Sequence, residues 1–339
     1  MPTRPMKVKR LAVVFILFAS ANVGASAGAT ASRKQEEGIE AGRRAYEASD
    51  YSRAAQLLQD AVAKSPQNGE IYLLLTKTYN ETQQHDAAIA SAEKAVALEP
   101  ENSVYHEWLG RAYGGKAEHA GMFSGLSLAK KTRKEFETAV RLDGMNFSAR
   151  QALIEYDCSA PGIAGGGEDK ARPQIAKLAE LDAAEGHYAA GNCRRQKKDF
   201  AMADAEFTKA LDNHPKSAEL IYDIGDYAMK HSQPERLISV ANEGEKAAPT
   251  DPRGDFYRAV ALILTKNDSG DAESLLREYL KRAPNRSGYP RPWEAHEWLG
   301  RLYENQGETQ AAISEYEAAL KLDPKSKNAS EGLKRLKKD

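Results

Sequence analysis

Proline keeps a fixed interval along this chain. The step from Pro66 to Pro100 recurs unchanged from Pro215 to Pro249, and Pro284 and Pro324 close two further segments. Each follows an amphipathic run such as AAQLLQDAVAKSP, AAIASAEKAVALEP, ADAEFTKALDNHP or AAISEYEAALKLDP. Proline cannot continue a helix, because it lacks the amide proton and its ring clashes with the preceding turn. A helix stop at that regular step, about 34 residues, points to small units of one kind, each too short to bury its own apolar face and so obliged to stack on its neighbours.

Small residues give a second ruler. Ala54, Ala88, Ala203, Ala272 and Ala312 open the amphipathic runs, and Ala61, Ala95, Ala139, Ala210 and Ala319 fall seven residues later in most of them. Alanine there lets two helices approach closely. Leu58, Phe136, Phe207, Leu276 and Tyr316 lie between and fill the space beside the contact. In the preceding helices, Tyr72, Leu75 and Tyr79 share a pattern with Leu299, Gly300 and Tyr303. The string YHEWLGRAYG at 105–114 nearly recurs as AHEWLGRLYE at 295–304. This resembles the tetratricopeptide repeat, a helix-turn-helix unit of that same length. The resemblance implies an all-α fold: a right-handed α-solenoid of about eight helix-turn-helix repeats with a C-terminal capping helix. In both HEWLG strings tryptophan stands two residues later than the usual aromatic of the family, and His106 and His296 take its place.

Eight units are expected, at 35–68, 69–102, 103–146, 147–183, 184–217, 218–251, 252–284 and 293–324, with residues 325–339 as cap and tail. The third unit carries about ten extra residues after Tyr113, in GGKAEHAGMFSGLSLAKKTRKEF, read as a long turn. The fourth holds APGIAGGGEDKA between its helices. Insertions in such stacks fall at the rim, where specialised function concentrates.

The chain opens on Arg4, Lys7, Lys9 and Arg10, followed by the apolar run Leu11–Ala19 and the small residues GASAGATA. That order is expected of a secretory signal peptide, assigned to 1–29. The competing transmembrane anchor would need roughly 20 apolar residues. Loss of the four basic residues leaves 44 Lys and Arg against 49 Asp and Glu, a mildly acidic remainder unlike a general nucleic-acid binder. The expected location is therefore periplasmic or secreted, in a bacterium, with no membrane anchor after cleavage. Cys158 and Cys193 are the only cysteines. They either bridge in an oxidising compartment or stay as semi-buried thiols, the plainer reading.

No catalytic constellation is visible. GIAGGGEDKA lacks the Lys-Ser/Thr ending of a phosphate loop, and Glu168 and Asp169 stand where an anion would have to sit. The seven histidines show neither HExxH nor a zinc-type cysteine pair. No enzyme activity, metal or cofactor is expected.

In the family the first helix of each unit lines the concave surface. There the resemblance places Arg43, Lys77 and Arg111 as a basic ladder in three successive units, similar to part of a clamp for a peptide carboxylate. Pairing within the chain is the simpler reading, since Glu107 and Arg111 lie four apart on one helix. Tyr188, Tyr222 and Tyr257 take one register in three later units and are expected to form an aromatic row for an extended peptide or partner helix. Met122, Phe123, Leu126 and Leu128 of the insertion either form a second contact surface or cap the core beneath. The function implied is an exported, non-catalytic scaffold that binds a protein or peptide in its groove. The other reading is an accessory subunit of an envelope solute-transport system, similar to the tetratricopeptide component of tripartite periplasmic transporters, docking a receptor or small ligand.

Overall fold

A computed structural model describes residues 36–266, 271–284 and 286–337. The expected signal peptide lies outside these residues. Among them the chain forms seventeen α-helices and no strand. They run as eight antiparallel pairs: α1 (36–47) with α2 (Tyr51–Lys64), α3 (Gly69–Glu81) with α4 (His85–Leu98), α5 (Ser103–Glu118) with α6 (Met122–Leu142), and α7 (Phe147–Ser159) with α8 (Glu168–Leu181). Then come α9 (Ala183–Gln196) with α10 (Phe200–Asp212), α11 (Ala218–Lys230) with α12 (Pro234–Ala247), α13 (Arg253–Thr265) with α14 (Asp271–Arg282), and α15 (Pro292–Gln306) with α16 (Thr309–Leu322). A last helix, α17 (Lys327–Leu336), covers the final pair.

The proline that ends one unit also sets up the next. Two residues after Pro66, Pro100, Pro215 and Pro324 stand Asn68, Asn102, Ser217 and Ser326, each accepting a backbone N–H from the helix it opens. Such caps satisfy donors that the first turn of a helix leaves free. Within the pairs, Ala54, Ala88, Ala203 and Ala312 are fully buried, as are Leu58, Phe207 and Leu276. At Gly110, Gly191 and Gly300 a Cβ would stand 2.6 Å from the ring of Phe136, Phe207 and Tyr316 respectively, so only glycine lets the facing ring seat against the backbone.

The third unit departs from the expected long turn. Its extra residues lengthen both helices, α5 running to Glu118 and α6 to 21 residues, with only 119–121 between them. The double glycine at 114–115 is absorbed into α5, because the Lys-Ala-Glu that follows favours helix and the longer α6 packs alongside. In the fourth unit the insertion is a loop closed by a 3₁₀ turn at Gly162–Ala164, which packs on α6. Cys158 on α7 and Cys193 on α9 are bonded, their Cα atoms 5.4 Å apart, which overturns the plainer reading of two free thiols. One apolar core runs without a break from Ala203 in α10 to Ala329 in α17. Before α10 the buried apolar residues fall into smaller, separate clusters. No helix among the described residues is long and apolar enough to cross a membrane.

Candidate functional site

On the face formed by α1, α3 and α5, two of the three residues of the expected basic ladder, Lys77 and Arg111, converge on one indole. Lys77 Nζ lies 5.0 Å from the centre of the Trp108 ring and the Arg111 guanidinium 5.6 Å from it. Most of the ladder is already engaged by the chain's own carboxylates. Arg43 pairs with Glu40 at 3.1 Å and with Glu70, while Arg111 donates to Glu107 at 3.0 Å and to Ser148 Oγ at 3.1 Å. Burial lowers the Lys77 pKa; Glu107 opposes that shift, and Arg43 and Arg111 add to it. The displaced tryptophan of the HEWLG strings thus has a place: Trp108 lies beneath Lys77 and Arg111, and Trp298 lies 5.0 Å beneath Arg301.

The tyrosine row is not a receiving surface. Tyr222 and Tyr257 are 1% and 0% exposed and stack on each other with ring centres 5.7 Å apart, and only Tyr188 is partly open. Glycine on the facing helix makes the room. A Cβ at Gly244 would meet the Tyr222 hydroxyl at 2.4 Å, and one at Gly225 would meet the Tyr257 ring at 2.9 Å. The hydroxyls of Tyr188 and Tyr257 donate to Asp223 at 2.9 Å and Asp226 at 2.5 Å, so the row's contribution to the groove is to hold carboxylates in place.

Those carboxylates line the second half of the concave face. A cleft of about 780 Å³ is walled by Asp226, Tyr289, Trp293, Glu294, Glu297 and Trp298, among others. Next to it lies a hollow of about 500 Å³ that shares Asp226 and Gly288 and adds Glu185, Tyr188 and Asp223. Between the two, the buried Arg253 guanidinium lies 4.3 Å from both the Tyr222 and Tyr289 rings. It bonds to Asp251, to Glu219 and to the carbonyl of Gly288, each at 2.7–2.9 Å. Some acids are spoken for: Asp223 pairs with Arg195 at 3.1 Å, and Glu297 accepts from Ser326 and Asn328. Asp226, Glu185 and Glu294 carry hydrogen bonds but no ion pair among the described residues. Burial raises the pKa of all three, and Glu185 is pushed up to about 7, with Asp182 adding to the effect.

Glu185 makes the energetic cost testable. Its folded pKa lies above the usual 4.5, so the protonated form is favoured on folding. Stability from that proton is complete below pH 4.5 and is lost as pH rises through about 7. The isosteric Glu185→Gln is therefore expected to be more stable than wild type at pH 8 by about 1 kcal/mol, allowing for solvent in the open groove, and equal to it at pH 4.5. Thermal denaturation at the two pH values checks this; a difference that does not change with pH would remove the carboxylate from the account.

A recurrent pair escaped the sequence reading. His187 bonds Glu206 at 2.7 Å and His296 bonds Glu315 at 2.6 Å, both across 19 residues within one unit. His106 bonds Glu135 at 2.6 Å across 29, the same pair displaced by the insertion. That spacing is visible in the sequence and would have shown that the histidines lock the two helices of a unit together. On the insertion, Met122 and Phe123 are 84% and 87% exposed, whereas Leu126 and Leu128 are partly buried; the tip does not cap the core.

Tetratricopeptide-repeat profiles match residues 45–112 and 257–327. Over 131 residues the chain is 29% identical to anaphase-promoting complex subunit 7 of Arabidopsis thaliana, a match covering 38% of this chain and 22% of that one. The chain thus spans about a fifth of the length of this curated relative. Among solved structures, a thermophilic tetratricopeptide-repeat protein of Thermus thermophilus aligns at 20% identity and a TM-score of 0.46, covering 55% of this chain and 94% of that one. The APC/C hetero-tetramer Cut9–Hcn1 aligns at 16% identity and 0.49, covering 84% of this chain and 52% of that one. Tetratricopeptide repeats are thus matched at residues 45–112 and 257–327, and helix pairs of the same kind fill the chain between them.

Proposed function

We propose that this protein is an exported, non-catalytic scaffold whose inner groove holds a segment of a partner protein rich in lysine or arginine. The observation that carries the reading is the trio Glu185, Asp226 and Glu294, carboxylates without an ion-pair partner among the described residues, set beside Trp293 and Trp298 in adjoining hollows. Keeping an unpaired carboxylate half-desolvated costs stability, and a cation from outside would relieve that cost. The Trp293 indole adds cation–π attraction and, with the parts of Trp298 that Arg301 leaves open, apolar area for the stems of long basic side chains. The expectation of an acidic or carboxylate-ended ligand is reversed here, because Arg43 and Arg111 already hold carboxylates of their own chain. The Cys158–Cys193 bond supports an oxidising compartment and therefore export.

The test compares two fluorescent peptides of equal length, one alternating Lys with Ala and one alternating Glu with Ala. The basic peptide is expected to bind, and Asp226→Asn combined with Glu294→Gln is expected to weaken it at least tenfold. Glutamine keeps the hydrogen bond to the Arg291 amide at the start of α15. Equal or tighter binding of the acidic peptide, or an unchanged affinity in the double variant, would sink the proposal.

A further inference from the structure

The insertion in the third unit builds a surface that the groove does not use. Along α6 the positions 123, 130, 134 and 141 fall on one stripe of the helix, opposite the buried Thr132, Phe136 and Ala139. Phe123, Lys130, Lys134 and Arg141 are all exposed, and Met122 beside Phe123 is too. The two carboxylates of α6 are taken, Glu135 by His106 and Glu137 by Arg133, which also holds Asp157. Lys130, Lys134 and Arg141 have no ion pair among the described residues, so the outward stripe is cationic, with an apolar tip at its N-terminal end. Phe123 precedes Lys130 by two helical turns, a rise of roughly 10 Å, and Lys134 by roughly 16 Å.

We infer that this stripe docks the protein peripherally on an anionic phospholipid surface. A Phe-Met tip seats at the boundary between headgroups and acyl chains, while cations farther along the same face meet lipid phosphates. Three cations close to such a surface and one exposed aromatic give modest attraction and apolar burial, so attachment is reversible and sensitive to salt. Two adjacent large apolar side chains, both almost fully exposed at a helix end, are what a polar duplex or an acidic protein face would leave unburied.

Because residues 1–29 carry their own basic and apolar run, the test reads the tip itself. In the full chain, Ser124→Cys is labelled with an environment-sensitive fluorophore; the native cysteines are bonded to each other. Vesicles of phosphatidylglycerol are expected to shift the emission to the blue, phosphatidylcholine vesicles to leave it unchanged, and roughly 0.5 M salt to reverse the shift. Lys130→Glu with Lys134→Glu is expected to abolish it at unchanged helicity. No shift on phosphatidylglycerol, an equal shift on phosphatidylcholine, a shift that survives the double variant, or an equal shift with duplex DNA at matched phosphate would each overturn the inference. The groove proposal is tested with soluble peptides and stands or falls separately.

Discussion

Arg253→Ala is expected to destabilise the protein by about 3–5 kcal/mol, the range for breaking a buried ion pair from one side. An arginine on the surface would cost within about 0.5 kcal/mol. The difference lies in what is left behind. The Asp251 side chain is 9% exposed and would lose the partner that it holds at 2.7 Å, while Glu219, 71% exposed, would regain water at little cost. The gap between the Tyr222 and Tyr289 rings would empty, and the Gly288 carbonyl would lose its donor. Equilibrium urea denaturation measures the loss. Adding Asp251→Asn to the alanine variant should recover part of it, since the stranded charge is the costly element. Strictly additive losses would show that the pair does not act as a unit. Residues 286–292 are tied to α13 mainly through this guanidinium and the Tyr289 ring, so limited proteolysis should move to that linker in the variant.

Breaking Cys158–Cys193 is the second large effect. The bond closes a loop of 35 residues, for which the loss of loop-closure entropy corresponds to about 3.8 kcal/mol. Cys158→Ser with Cys193→Ser should lower the unfolding free energy from urea denaturation by that order, and dithiothreitol should lower the wild-type value similarly while leaving the double variant unaffected. Thiol titration of the unreduced, unfolded chain should find no free thiol; two titratable thiols would contradict the pairing. The bond spans the loop insertion at 160–167 and joins α7 to α9, so hydrogen exchange in α8 should rise most on reduction.

The architecture was legible because its determinants are local. Pro66, Pro100, Pro215 and Pro324 each stand two or three residues past a helix end, and alanine at a close helix crossing is required by the geometry of the pair alone. The groove was harder, because a side chain's exposure depends on its neighbour across the interface. Tyr222 and Tyr257 share a register with Tyr188, and only Gly244 and Gly225 on facing helices decide that they are buried. Arg43 and Lys77 likewise look alike in sequence, yet Glu70 from the next unit occupies the first and an indole lies under the second. The insertion misled for the opposite reason. Gly114 and Gly115 signal a turn locally, and the long flank of α6 overrides them.

The uneven division of the apolar core has a mechanical meaning. A stack loaded at its ends stretches as springs in series, each coil as stiff as the contacts with its neighbours. From α10 onward the unbroken core makes a single stiff coil, whereas the separate clusters before it make several compliant ones, with the Cys158–Cys193 bond as one inextensible link among them. A partner of awkward shape would be accommodated by the first half widening or tightening, while the cleft of the second half keeps its dimensions.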